Sequence, residues 1–283
     1  MATMRAIPTD QWASDFFGGL NEMPHEPVEA LGGILETMGT EPTFRAARRA
    51  MLADLALAPG GAVLEAGAGT GVALPDVLEV LGPQGRVLGV DPTVAFVETA
   101  RRRAERAGAV GARYETGDAR ALPAADGVFD AAFCDKILIH VGPPEAVLGE
   151  LTRVTRPGGR VGALEWEPHF ALSGAHPEVV ARFNDMLRGA VQAYSAGPNL
   201  ARYFRSAGLI GVQTRAHLAH ARSLDEHPFW RAFLVDQLPL FVHAGLLAAE
   251  DAETLAADLG SSSARGELSA SFVVFTAMGT KPA

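Results

Sequence analysis

The chain has 283 residues, 48% of them hydrophobic, enough for one large α/β domain with additions and a substantial core. A formal net charge of −9 argues against a nucleic-acid surface, and no apolar run reaches the length of a bilayer span. The single cysteine, Cys134, excludes an internal disulfide, and Met1 to Asp10 lacks a charged-then-apolar leader pattern, so a cytoplasmic protein is expected.

Residues 1–57 read as an N-terminal helical cap. Trp12, Phe16, Phe17 and Leu20 are apolar at near-helical spacing, then Gly18-Gly19 and the Pro24/Pro27 segment break the pattern. This stretch reads equally as a flap over a ligand or as a helix packed on the core. A helix opens near Thr40 or Glu41 with Pro42 in its first turn, and Phe44, Ala47, Met51 and Leu55 mark its inner face. Pro59-Gly60-Gly61 leads into a first strand, Ala62 to Ala66.

That strand runs straight into Gly67-Ala68-Gly69-Thr70-Gly71, followed by a helix over Ala73 to Leu81. Strand, glycine-rich turn and helix are the layout of a nucleotide-binding α/β unit. The dinucleotide fingerprint fails, because the sixth position from Gly67 is Val72 and from Gly69 is Leu74, where Gly or Ala is needed. An NAD(P) oxidoreductase is thereby disfavoured.

The second strand, Arg86 to Asp91, ends in an acid ~20 residues past the glycines, where a doubly wound fold places a ribose ligand. A helix from Thr93 to about Gly108 carries Arg101, Arg102, Arg103 and Arg106 with Glu98 and Glu105, read as a solvated face. The third strand, Ala112 to Thr116, leads to Gly117-Asp118-Ala119-Arg120-Ala121-Leu122-Pro123. A fourth strand ends at Asp135, and Lys136 to Val141 is expected to begin the next helix. Arg156-Pro157-Gly158-Gly159 turns into a fifth strand, Val161 to Glu165.

Beyond it, Pro177 to Tyr194 reads as a helix, with Val180, Phe183, Leu187 and Val191 apolar at helical spacing. Val212, Thr214, Ala216 and Leu218 alternate as strand six, Pro228 to Leu259 is helical and capping, and Ser271 to Met278 is the last strand.

Glu65 ahead of G-x-G-x-G resembles motif I of class I S-adenosylmethionine (SAM) dependent methyltransferases. Gly117-Asp118-Ala119 with Leu122-Pro123, the Phe129-Asp130 strand, the Pro157-Gly158-Gly159 turn and the Asn199–Leu209 helix are similar to further segments of that family, closest to its small-molecule branch. The resemblance implies a Rossmann-like fold with a mostly parallel seven-stranded sheet, helices on both faces and a helical lid. The methyltransferase domain would span 58–283, with lid insertions about 166–200 and 220–262.

It also implies SAM as cofactor. Glu65 would act on the ammonium, Gly67, Gly69 and Gly71 on the amino-acid end, Asp91 on the ribose and Asp118 with Ala119 on the adenine, with Pro92 and Cys134 as further cofactor-binding residues. The acceptor would be a small, quinone-like or secondary-metabolite molecule methylated on O, N or C, with His140 or His169 as the base where one is needed. Trp166, Phe170 and Tyr203 would stack on the acceptor or belong to the core.

An Asp at the position of Asp135 binds Mg²⁺ in the metal-dependent O-methyltransferases. Their Asp-Asn pair after strand five is replaced here by Glu165-Trp166-Glu167, so no metal is expected. No nucleic acid or membrane partner is expected, and a homodimer is left open. The alternative is a SAM-binding protein that catalyses another reaction or serves as a binding module.

Overall fold

The computed structural model describes residues 19–23 and 25–283. Trp12, Phe16, Phe17, Gly18 and Pro24 therefore lie outside the described residues. After a 3-10 turn at Leu20–Glu22 come α1 (His25–Thr40) and α2 (Pro42–Asp54). The α2 start matches the sequence expectation: the Glu41 carboxylate accepts from the amides of Thr43 and Phe44, with Pro42 in the first turn. Phe44, Ala47, Met51 and Leu55 are all buried.

The remaining elements are β1 (Ala62–Ala66), α3 (Leu74–Leu81), β2 (Arg86–Asp91), α4 (Val94–Arg106), β3 (Ala112–Thr116), β4 (Phe129–Asp135), α5 (Pro144–Val154), β5 (Thr155–Ser173), α6 (Pro177–Gly189), α7 (Ala196–Ser206), β6 (Ile210–Ala221), α8 (Pro228–Arg231), a π-helical turn (Ala232–Asp236), α9 (Leu238–His243), α10 (Ala249–Arg265) and β7 (Ser269–Thr280). They build one seven-stranded sheet in the order β3-β2-β1-β4-β5-β7-β6. The first five strands pair in parallel, and β7 runs antiparallel to both β5 and β6. This is the doubly wound, mostly parallel architecture expected. Its order reverses between β1 and β4, and sheets of this kind bind ligands at the carboxyl ends of the strands beside such a reversal.

Three expectations are corrected, in the 136–141 turn, in β5 and in the 228–259 stretch, while strand six is found as a strand. Residues 136–141 form a turn, not a helix start: Lys136 takes φ +62° and Gly142-Pro143 holds the next helix off until Pro144. Strand β5 does not end at Glu165 but runs to Ser173, because β7 resumes its pairing with it from Ala171 to Ser173. Pro168 sits where that ladder is interrupted, between Glu167 and Ala171, so its missing N–H costs no bond. On edge strand β6, Thr214, Ala216 and Leu218 face outward while Ala219 and Ala221 are buried. The 228–259 stretch is broken into short helices near Pro239 and Gly245.

Aromatic rings fill the space between α2, β5, β7 and the 228–236 segment. Trp166 packs edge-on to Phe44, Phe170, Phe233 and Phe272 with centroids 5.4–6.0 Å apart. Edge-to-face contacts of this kind add ~0.5–1.5 kcal/mol each beyond area burial. Trp166 and Phe170 are thus core residues in this structure.

Candidate active site

The glycine turn is built by backbone chemistry. Gly67, Gly69 and Gly71 all have positive φ (+68°, +52°, +73°), a region that strains any side chain. At Gly67 a Cβ would lie 2.2 Å from Ile137 Cγ2, so bulk is forbidden there twice over. Above Gly69 the nearest atom to such a Cβ is Leu35 Cδ1 at 4.0 Å, leaving a cradle into which a ligand can settle against bare backbone.

Asp91 is buried at the end of β2 and holds this turn. Its Oδ2 accepts from the Gly69 amide at 2.8 Å and its Oδ1 from the Thr93 amide at 2.9 Å. Burial pushes its carboxyl above the ordinary value, against the pull of those two amides. The Thr93 hydroxyl bonds the same carboxylate, so of its roughly four lone-pair sites about one remains for an incoming hydroxyl donor. Asp118 lies beyond β3, and its carboxylate is forked by Arg120, whose hydrogen bonds hold its pKa low. Ala119 beside it is buried. Cys134 is buried within β4, which pushes its thiol well up.

Behind the turn sits a buried charge network. Arg48 Nε donates to Asp135 Oδ2 at 2.6 Å, Nη1 donates to Asp76 Oδ2 at 3.0 Å, and both terminal nitrogens reach the Gly39 carbonyl at 3.1 Å. Lys136 pairs with the other oxygen of Asp135 and lies 5.1 Å above the Phe44 ring. Burial lowers the Lys136 pKa, with Asp135 opposing. Burial pulls the Asp135 carboxyl up, but Lys136 and Arg48 hold it below its usual range.

Two glutamates flank these cations. Burial, aided by the Asp135 charge, pushes Glu65 up to about 8, and burial does the same to Glu165. Glu165 is satisfied by the amides of Ile139 and Trp166. Glu65 Oε2 has no hydrogen-bond partner. A buried acceptor without a partner costs about 1–3 kcal/mol, so Glu65 is poised to gain from an incoming cation.

The N-terminal segment covers the turn. Asn21 bonds the Pro92 carbonyl (2.8 Å) and the Val94 amide (2.9 Å). Glu36 of α1 bonds both the Thr70 hydroxyl and the Arg103 guanidinium, whose Nε reaches the Thr70 carbonyl at 3.1 Å. Leu20, Val28 and Phe96 pack beneath, with Leu31 and Leu35 alongside. The arginines of α4 are thus not a plain solvated face: Arg103 joins this latch, and Arg101 bonds the Tyr114 carbonyl at 2.9 Å.

The two candidate bases differ in setting. His140 lies in the turn after Lys136, its amide on the Ile137 carbonyl, and burial lowers its pKa to about 4. His169 is exposed, on the continued β5 and not on a loop after it. Tyr203 is buried in α7 with the Arg202 guanidinium over its ring.

Residues 63–159 match the family described as "Methyltransferase domain". A demethylmenaquinone methyltransferase of Beutenbergia cavernae is 41% identical over 134 residues, covering 45% of this chain and 52% of the relative. A 37.1 kDa protein of transposon TN4556 from Streptomyces fradiae is 39% identical over 135 residues, 47% of this chain and 39% of the relative. The chain therefore spans about half or less of the length of these relatives. The YcgJ protein of Bacillus subtilis shares the fold with a TM-score of 0.59 at 19% identity, over 84% of this chain and 99% of that one.

The domain match over residues 63–159 and the seven-stranded sheet order give the chain the Rossmann-like fold of the class I SAM-dependent methyltransferases. SAM is the cofactor bound by proteins of this fold, and the residues of this chain fit it on two observations: the open cradle over Gly69 and the buried Glu65 oxygen without a hydrogen-bond partner. The structure gathers Glu65, Gly67, Gly69, Gly71 and Asp91 at one sheet edge. Sequence reasoning missed Glu36, Arg103, Asn21, Arg48, Lys136 and Tyr114. Only Arg48 left a local signal: it shares the inner face of Phe44 and Met51, so its charge required a buried partner.

Proposed function

We propose that this methyltransferase transfers the methyl group of SAM to an O, N or C atom of a small, flat, apolar acceptor, quinone-like or a secondary-metabolite precursor. The observation that carries the reading is the Asp91–Gly69 bond. It ties the acid that would receive the ribose to the same turn that bares its backbone to an amino-acid tail. When bound, the cofactor supplies a sulfonium-activated methyl group. The protein's part is alignment and exclusion of water, which supply ~7–11 kcal/mol in well-positioned systems.

On this reading Gly67, Gly69 and Gly71 hold the amino-acid end and Glu65 takes the ammonium. Asp91 and Pro92 border the ribose, and Asp118, Ala119 and Cys134 lie on the adenine side. Residues 20–57 close over the cofactor as a cap. The segments 166–200 and 220–262 border the acceptor, and the similarity to a demethylmenaquinone methyltransferase supports a ring-shaped acceptor. His140, neutral near pH 7, is the proton acceptor for a hydroxyl substrate, and exposed His169 is the second candidate. Incubation with methyl-labelled SAM and a panel of phenols, quinols and amines tests the reading. Label transfer with release of S-adenosylhomocysteine (SAH) supports it. SAM binding without transfer to any acceptor supports the binding-module alternative.

A further inference from the structure

Glu65, Gly89 and Tyr114 form one row across β1, β2 and β3, in direct register. Paired residues of parallel strands point to the same face, so the two side chains share the face that carries α2, α3 and α4. Gly89 between them has no side chain, and the Tyr114 ring occupies that gap. A Cβ on Gly89 would lie 2.3 and 2.4 Å from ring atoms Cδ1 and Cε1. The ring thus lies across β2 toward Glu65, and its hydroxyl sits 3.2 Å from where a Gly71 Cβ would be. Tyr114 Oη and Glu65 Oε2 are both buried, and both lack a hydrogen-bond partner. Two such atoms under one glycine turn call for a shared partner, and a buried water meets the requirement.

We propose that Tyr114 is a positioning residue for Glu65: its hydroxyl, laid across Gly89, donates through one buried water to Glu65 Oε2 when that carboxylate receives the ammonium of the cofactor. The inference rests on the functional reading given above. In the free protein Glu65 is held protonated by burial and by the Asp135 charge, with Asp91 adding to it and Arg48 and Lys136 opposing. Tyr114 is itself kept neutral by burial and by Glu65, with Arg103 opposing, so it remains a donor. On binding, Glu65 releases its proton to solvent, and its carboxylate accepts from the ammonium on one side and the tyrosine-held water on the other.

Calorimetric titration with SAH and with 5′-methylthioadenosine, which has the adenosine but no ammonium, tests this in wild type, Tyr114→Phe, Glu65→Gln and the double variant. SAH binding to wild type below pH ~8 should release a proton, seen as a dependence of the heat on buffer ionisation. Tyr114→Phe should bind SAH about ten-fold more weakly, leave methylthioadenosine affinity unchanged, and shift the pH dependence of SAH binding. The double variant should bind SAH no more weakly than Glu65→Gln alone. Thermal unfolding of Tyr114→Phe should stay close to wild type, because the hydroxyl bonds no protein group. The inference is overturned if Tyr114→Phe keeps wild-type SAH affinity, if methylthioadenosine weakens equally, or if the two substitutions add. Should wild type bind neither compound, the functional reading itself fails, independently of any variant, and this inference goes with it.

Discussion

Arg48 and Asp135, 87 residues apart, meet at 2.6 Å and join α2 to the end of β4. The same guanidinium ties in α3 through Asp76 and the α1–α2 corner through the Gly39 carbonyl. At that corner the backbone presses on the glycine turn, since a Cβ on Gly39 would lie 2.6 Å from Val72. One side chain thus fixes the cap, the turn and the strand end bearing Lys136. Removing one partner of a buried pair leaves charge uncompensated, at a cost of ~3–5 kcal/mol. Arg48→Met should lower the unfolding free energy by about 3 kcal/mol in urea titration. A loss below ~1 kcal/mol would mean that Arg45 and Lys136 compensate for it.

The raised Glu65 carboxyl predicts an unusual pH dependence. Its folded value is about 8 against an ordinary 4.5, so between those limits the unfolded chain binds fewer protons than the native protein. Stability of the ligand-free protein therefore falls as pH rises through this window and levels off above it. The slope is on the order of 1 kcal/mol per pH unit for one such carboxyl. Glu65→Gln cannot ionise, so its unfolding midpoint should decline less between pH 5 and 8 in thermal scans. Identical slopes for the two proteins would place the Glu65 value near that of an ordinary carboxylate.

The first three strands were legible to the residue: β1 and β2 are short, largely apolar runs closed by glycines or an acid, and β3 is a short β-favouring run stopped by Gly117. The glycine turn and Asp91 were legible because backbone geometry there restricts residue type. Lys136 was not: apolar residues surround it on the C-terminal side and mimic a helix, whereas the ion pair to Asp135 and the bond from its amide to the Leu164 carbonyl select a left-handed turn. The Glu36–Thr70–Arg103 latch spans up to 67 residues and carries no local periodicity. Tyr114 read as an ordinary strand aromatic. Its place opposite Glu65 depends on strand register and on Gly89 being bare, both properties of the assembled sheet.

Asp91 has two roles, and substitution should affect both. Its carboxylate holds the Gly69 and Thr93 amides, and on the function proposed above it also receives the ribose. Asp91→Ala should weaken SAH binding by on the order of 100-fold and lower stability by ~1–3 kcal/mol while the protein remains folded. Asp91→Asn keeps one acceptor oxygen and should retain more stability than affinity. SAH affinity unchanged in Asp91→Ala would remove this residue from the cofactor site.

The latch over the turn predicts a kinetic effect. Glu36 is half-buried and bonds Thr70 and Arg103 together. A partly exposed pair contributes at most ~1 kcal/mol, or about five-fold. Glu36→Ala should speed SAH dissociation by that factor in stopped-flow displacement, with little change in association rate or unfolding midpoint. A slower association with unchanged dissociation would show that α1 guides entry and does not retain the ligand.

His140 provides the test of the chemistry. Burial holds its pKa near 4, so it is neutral throughout the physiological range but a weaker base than an ordinary histidine. If it accepts the proton of a hydroxyl acceptor, kcat should be flat from pH ~6 to ~8 and fall only toward pH 4, with no inflection near 6.5. His140→Ala should lower kcat by at least about ten-fold while leaving SAH affinity near wild type. Retained turnover would assign His140 to packing of the turn after β4. Turnover kept in His140→Ala and lost in His169→Ala would transfer the role to exposed His169.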